Sequence, residues 1–459
     1  MSNRIFDKGQ QHASNVYSTS SRKIGSCEST EEKIDSKFCY KYGSKKLASR
    51  NDKVDTPTAA NCDNLIEKLI EISGKNTSLE NVKSNMSATF KVLEDIRKYA
   101  IDNPENSNEL CKLKNSVNAF IVTQTIPINK EGNLCSIGEH DYYEGQALEI
   151  DKICVQINLD AEATIMTLDA VIDKQTGLTQ GKKLGTGIFN TVFKSATSSG
   201  ANVAMKPCDQ YQAKEDLNKY CDFRATTLGI IGSITGIYRR NLATHKVQEL
   251  IQAAGGPHVT AKISAATISV DDSFLPCIAM EFLEGKTIEE TLAGGTNIEL
   301  TNEFIRHEIW MQILDFLTGQ IDRHNGNVML CKGYPVGIDH DMSFSMTADS
   351  DINSLLENYC VPPVIDTEMY TFIKGLDLNK LEDTYRSCGL TGSEVSSAIK
   401  RAMLLKNIIK KDGGRISPSG VFLINKDAWV DTVKKHSSIF TEKNFYAQKH
   451  THVPKFETK

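Results

Sequence analysis

The chain has 459 residues, 40% hydrophobic and 24% charged, with a net charge of −5, the profile of a soluble globular protein of two or three domains. This mild acidity gives no footprint for nucleic acid or a membrane surface, and no run reaches the ~18 apolar residues of a membrane span. No apolar signal core stands at the N-terminus, so a cleaved secretory signal is not expected, and the twelve cysteines include no C-x-x-C pair, which favours free thiols in a reducing compartment over a zinc site.

Residues 1–60 are rich in Ser, Lys, Asn and Asp, with large aliphatics far apart. Such a segment buries too little apolar surface to offset chain entropy and is expected to be disordered, either as a simple tail or as an uncleaved export signal. Residues 61–126 carry helical stripes: Leu65, Ile66, Leu69 and Ile70; then Phe90, Leu93, Ile96 and Ala100; then, after the break at Asn103-Pro104, Leu110, Leu113, Val117, Phe120 and Ile121. This helical unit reads equally as a folding support or as a module for a chaperone or other partner. Ile150–Leu159 alternates as a strand does, and Ala161–Ile172 suits a helix.

From Gly181 the pattern changes. Lys183–Lys194 predicts strand, glycine turn, strand, with Gly185, Thr186, Gly187 and Phe189 at the turn. Asn202–Pro207 predicts a third strand ending in Lys206. Glycines let such a hairpin approach phosphates, and Lys206 would offer them a point charge. A helix is expected from Arg239 to the stop at Gly255-Gly256-Pro257. Glu249 on it and Glu215 before it are the candidate acid partners of Lys206. Strands are expected at Val259–Ile263, Thr267–Val270 and Phe274–Leu283. The last is either a core strand or a hinge, where the backbone of Glu281 and Leu283 would meet an adenine.

An apolar helix follows, with Phe304, Ile305, Ile309, Ile313, Phe316 and Leu317 along one side, stopped by Gly319. It leads into Ile321–Phe344, the densest stretch of the chain. Val328–Leu330 and Val336–Ile338 predict a small hairpin around a turn at Lys332–Pro335. Asp322 and Asn327 precede it and Asp339 ends it, gathering oxygen ligands suited to Mg²⁺ and a phosphate chain. Residues 345–375 are acidic, Leu376–Ile409 reads as helical, Asp427–Val433 as a further short helix, and the tail from Lys443 as mobile.

The order of glycine hairpin, strand lysine, helix, hinge strand, catalytic loop and metal aspartate resembles the protein-kinase-like fold. Asp322-Arg323-His324-Asn325-Gly326-Asn327-Val328-Met329 and Ile338-Asp339-His340-Asp341 resemble the phosphatidylinositol 3-/4-kinase and actin-fragmin-kinase branch, over roughly residues 181–410. With the Ser-rich N-terminus, the chain also resembles bacterial secreted effector kinases, which implies delivery into a host cytoplasm; without such export the chain would be cytoplasmic. The resemblance implies an α+β, bilobal architecture with an N-terminal lobe 181–285 and a C-terminal lobe 286–440, beside the disordered 1–60, the accessory region 61–180 and the mobile tail 441–459 read from composition and pattern.

It further implies ATP and Mg²⁺ or Mn²⁺ as cofactors. Asp322 would orient or deprotonate the acceptor hydroxyl, with His324 assisting. Asn327 and Asp339 would ligate the metal, and Lys206 and Gly185–Phe189 would hold ATP. Asp341 is left between a supporting role and a turn cap. The acidic 345–375 segment favours a protein Ser/Thr acceptor, such as a host protein, over a phosphoinositide. A catalytically dead adaptor, or a kinase-fold enzyme transferring another group, is the remaining alternative. One departure stands out: Arg240 is followed by Asn241, where related helices carry Arg-Glu.

Overall fold

The computed structural model describes residues 61–76, 78–123, 125–127, 134–136, 148–186, 191–197, 199–207, 236–270, 273–320, 323–344, 364–409 and 422–423. Four helices come first: α1 (Cys62–Lys75), α2 (Leu79–Asp102), α3 (Ser107–Thr123) and α4 (Leu148–Ile172). Asn61 and Ser78 cap α1 and α2 through their side-chain oxygens, as N-cap residues do. The predicted stripes meet inside: Leu65, Leu69, Leu93, Ile96, Leu113, Val117 and Ile121 are buried in one core with Ile157, Ala161 and Ile165 of α4. A two-residue-period strand was expected at Ile150–Leu159, and the structure has helix there. The stronger period is four: Ile153, Ile157, Ala161 and Ile165 continue one stripe into the following helix, with no Gly or Pro to interrupt it.

Between α3 and α4 lies a short hairpin of β1 (Thr125–Pro127) and β2 (Leu134–Ser136). After α4, an antiparallel sheet forms from β3 (Lys183–Thr186), β4 (Thr191–Ala196), β5 (Asn202–Pro207), β6 (Ile263–Val270) and β7 (Ser273–Glu281), in the order β3-β4-β5-β7-β6. Helix α5 (Ile237–Ala253) precedes β6. One face of the sheet gives Ile263, Ala265 and Ile278 to the core of α1–α4, while Met205, Ala266, Ile268, Cys277 and Ala279 fill a small core on the other face. The alternation is that of strands covered on both sides.

The second large core surrounds α7 (Asn302–Thr318), reached through β8 (Lys286–Thr287) and the short α6 (Ile288–Ala293). Thirteen of its seventeen residues are buried, so α7 is enclosed rather than amphipathic. Around it lie β9 (Val328–Cys331) and β10 (Tyr334–Gly337), which form a sheet in the order β10-β9-β8. Then come α8 (Thr367–Gly375), α9 (Leu378–Ser387) and α10 (Gly392–Ile408); β11 (Val364–Ile365) pairs in parallel with β12 (Phe422–Leu423). Leu376–Ile409 is therefore two helices, divided at Gly389, whose φ of 81° ends α9.

Helix α5 contributes to both large cores: Tyr238 to that of α1–α4, and Ala243, Val247 and Ile251 to that of α7. All described residues belong to one compact unit, Ser49–Lys459. The fold is α+β with an antiparallel sheet. Among the described residues, no helix is long and apolar enough to cross a membrane.

Candidate functional site

Lys206 stands near the end of β5, the central strand of the five. Its neighbour Met205 points into the small core, so strand alternation sends Lys206 to the opposite face, where its register partner Ile278 lies against α4. There its ammonium is 3.1 Å from Oδ1 of Asp339 and makes a shorter contact with Oδ2 of Asp341. Gly185 pairs with Val192, and Phe193 with Met205, which sets Gly185 two strands from Lys206, about 10 Å away at ordinary strand spacing.

Both carboxylates follow the β9–β10 hairpin. Asp339 adopts a φ of 57° just past β10, a backbone turn that its short polar side chain tolerates better than most. Its carbonyl accepts a hydrogen bond from Gln320 Nε2 at 2.9 Å. Asp341 is held on all sides. Its Oδ1 accepts from Asn241 Nδ2 at 3.0 Å, and its carbonyl accepts from Arg240 Nε at 2.8 Å. Asn241 thus stands where an acid partner of Lys206 was expected, and holds the acid that the loop supplies instead. Glu249 is turned away to Lys246 and His245 and is half-exposed, so it is not that partner.

Burial works against charge here, and the ion pairs overcome it. Burial disfavours the Lys206 ammonium, but Asp339 and then Asp341 outweigh it and keep the lysine charged. Burial alone would raise the Asp339 carboxyl; the Lys206 charge prevails and holds it at about 2. Burial, then the Asp339 charge, pushes Asp341 up to about 6. Asp339 keeps 41% of its side chain exposed against 9% for Asp341, so the stronger acid is also the more accessible.

Arg323 locks the segments together. Its guanidinium forks onto Asp315 of α7 at 2.9 and 3.0 Å, and one nitrogen reaches the carbonyls of both Asn327 and Ile338 at 2.7 Å. The same group lies 3.3 Å from Nδ1 of His340. Because guanidinium only donates, Nδ1 accepts and Nε2 carries the proton towards Thr260, whose hydroxyl passes a bond to the Gly337 carbonyl at 3.1 Å. Burial, then the Arg323 charge, pushes His340 well below its usual range and keeps it neutral. The expected strand at Val259–Ile263 is partly spent on this junction: Val259 and Ala261 bond to Gly337, and β6 begins only at Ile263.

The hairpin brings Asn327 and Asp339 to one end, where the Ile338 amide donates to the Asn327 carbonyl at 3.0 Å. His324 accepts from the Gly326 amide at 3.1 Å and so shapes the turn Asn325–Asn327. Glu281 ends β7; its amide donates to the Lys262 carbonyl at 2.9 Å, so that N–H is not available to an adenine. Its carboxylate pairs with His258 at 3.2 Å. Leu283 follows, half-buried, and Phe282 between them lies under the Lys194 ammonium at 4.3 Å. At Gly285 a Cβ would fall 2.1 Å from the Leu330 carbonyl, so only glycine lets β9 pass this close. Asp322, Gly187, Phe189 and Glu215 lie outside the described residues, as do the expected helix at Asp427–Val433, the tail from Lys443 and residues 1–60.

The sequence matches no family model and no curated protein.

Among the described residues, no three His, Cys, Asp or Glu side chains form a metal cage. The expected donors, Asp339 and Asn327, are one ionised carboxylate and one amide. Both are oxygen-donor types that Mg²⁺ accepts, beside the waters and phosphate oxygens that complete its six ligands. Of the acids in 345–375, Asp366 caps α8 and pairs with Arg306 at 3.1 Å, and Glu368 pairs with the same arginine. Sequence reasoning passed over Gln320 and Thr260 and gave Arg323 and His340 no role. Their signal is local only in part: Asp-x-Asp at 339–341 is visible, whereas Asn241 and Arg240 reach it across about a hundred residues.

Proposed function

We propose that this chain is an ATP-dependent phosphotransferase with a bilobal, protein-kinase-like architecture. The five-stranded sheet with α5 would form one lobe, and α7–α10 with the β9–β10 hairpin the other. The observation that carries the reading is the ion pair between Lys206, on the central strand, and Asp339, at the hairpin exit. A phosphate-binding lysine and a metal-binding carboxylate need to share one cleft for phosphoryl transfer.

When ATP binds, Lys206 would exchange a carboxylate for phosphate oxygens, and Asp339 with Asn327 would hold Mg²⁺ or Mn²⁺. The metal supplies charge neutralisation on the transferring phosphoryl group. The acceptor oxygen forms a bond to the γ-phosphorus while the bond to the β–γ bridging oxygen breaks, leaving ADP. Asp322 takes or orients the hydroxyl proton. Arg323 and Gln320 keep the two ligand segments in register, which is most of what such a site contributes.

A protein Ser/Thr hydroxyl is the proposed acceptor, because the acidic 345–375 segment disfavours an anionic headgroup. The ties of Asp366 and Glu368 to Arg306 remove two acids from that segment, and this favours keeping a phosphoinositide as the second reading. Delivery as an injected effector rests on the Ser-rich N-terminus together with the kinase-like motifs. Incubation with labelled ATP and Mg²⁺ beside a eukaryotic lysate and phosphoinositide vesicles separates the acceptors. Label is expected in protein; label confined to lipid overturns the protein acceptor.

A further inference from the structure

Helix α4 is enclosed in an apolar core, yet one of its faces carries Asn158, Glu162 and Asp169, all buried. Buried polar groups need partners, and here each has one from the first turn of α5, with Lys114 of α3 also pairing with Asp169 at 2.6 Å. Glu162 accepts from the amides of Gly236 and Tyr238 at 2.6 and 2.9 Å, filling the open donors of the helix start with a carboxylate. The Tyr238 hydroxyl donates to Asp169 at 2.8 Å, and Arg239 donates to Asn158 at 3.1 Å. The same turn ends in Asn241, which holds Asp341, which pairs with Lys206.

We propose that Glu162 and Asn241 are positioning residues for Lys206: Glu162 fixes the first turn of α5, and Asn241 on that turn holds the carboxylate that anchors the lysine. The residue types fit the task. An aspartate at 241 would set two carboxylates against each other, whereas the amide donates to one oxygen of Asp341 and leaves the other for the ammonium. The helical region 62–172 is therefore part of the site's scaffold. Its catalytic consequence rests on the phosphotransfer reading; the holding of Lys206 does not.

The test is trace acetylation of the intact protein with acetic anhydride, reading Lys206 against the exposed residue Lys400 by peptide mass spectrometry. Kinetics with Mg·ATP are run in parallel. Glu162→Gln and Asn241→Ala are compared with Leu69→Ala, which thins the helical core without touching the relay, and with Glu249→Gln on the exposed side of α5. Both relay variants are expected to raise Lys206 labelling about tenfold, the factor for losing a hydrogen bond to a buried carboxylate, and to raise KM for ATP more than they lower kcat. Leu69→Ala is expected to lower the melting temperature while leaving labelling unchanged, and Glu249→Gln to change neither. Unchanged labelling in the relay variants, or an equal rise in Leu69→Ala, overturns the inference. A labelling response in a protein that transfers no phosphate retires the phosphotransfer reading and leaves the positioning role standing.

Discussion

Arg323 makes more of the site's connections than any single acid does. It ties α7, through Asp315, to the Asn327 and Ile338 carbonyls on both sides of the hairpin. A lysine has the charge but not the fork, so it cannot span these acceptors at once. Arg323→Ala removes the two-point ion pair of buried Asp315 and is expected to cost about 3–5 kcal/mol, read from urea unfolding; Arg323→Lys should fall between it and wild type. The arginine was visible in the sequence as part of a motif, but its work was not. Its partners sit 4 to 17 positions away, and their convergence depends on the hairpin closing. Asn241 shows the opposite case. Read alone it contradicts a lysine–carboxylate pair; beside Asp341 it completes one.

Among the elements, α7 carries two further consequences. Burial alone pushes Glu308 up to about 8. A carboxyl whose folded value is raised above its ordinary 4.5 contributes its full stability below that value, and the contribution is lost as pH climbs through the folded value. Wild type is thus expected to melt lower at about pH 9 than at about pH 6, and Glu308→Gln to remove most of that difference. At the end of the same helix, Gly319 has a φ of 64°, and a Cβ there would lie 2.5 Å from the Arg401 guanidinium. Gly319→Ala should cost at least about 1 kcal/mol from backbone strain alone, with Arg401 forced to move as well; denaturant midpoints check this. The apolar stripes of α1–α3, the hairpin of β9 and β10 and the glycine stops were all legible, because each is set by local period and turn chemistry. Helix α4 was half misread, because four residues of alternation mimic a strand until the longer stripe is followed.

For the molecule as a whole, the two large cores meet through α5, and the sheet residues Ile263, Ala265 and Ile278 are covered by the helical region. Removing residues 62–172 would uncover those apolar side chains and strip α5 of Glu162. The shortened chain is expected to lack the cooperative thermal transition of the full protein and to bind a hydrophobic dye; a sharp, unshifted melt would contradict the shared core. Nothing local in the sequence shows this dependence, since Glu162 and Gly236 stand 74 positions apart with β3–β5 between them.

The phosphotransfer reading meets its most direct test in one assay: labelled ATP and Mg²⁺ with a lysate as acceptor, for wild type, Lys206→Ala and Asp339→Ala. Wild type is expected to transfer label, and each variant to lose it by about a hundredfold or more, the usual cost of removing a charge-stabilising group from such a site. Appreciable transfer by Asp339→Ala would contradict the assignment of the metal-binding carboxylate, and no transfer by wild type would contradict the function itself.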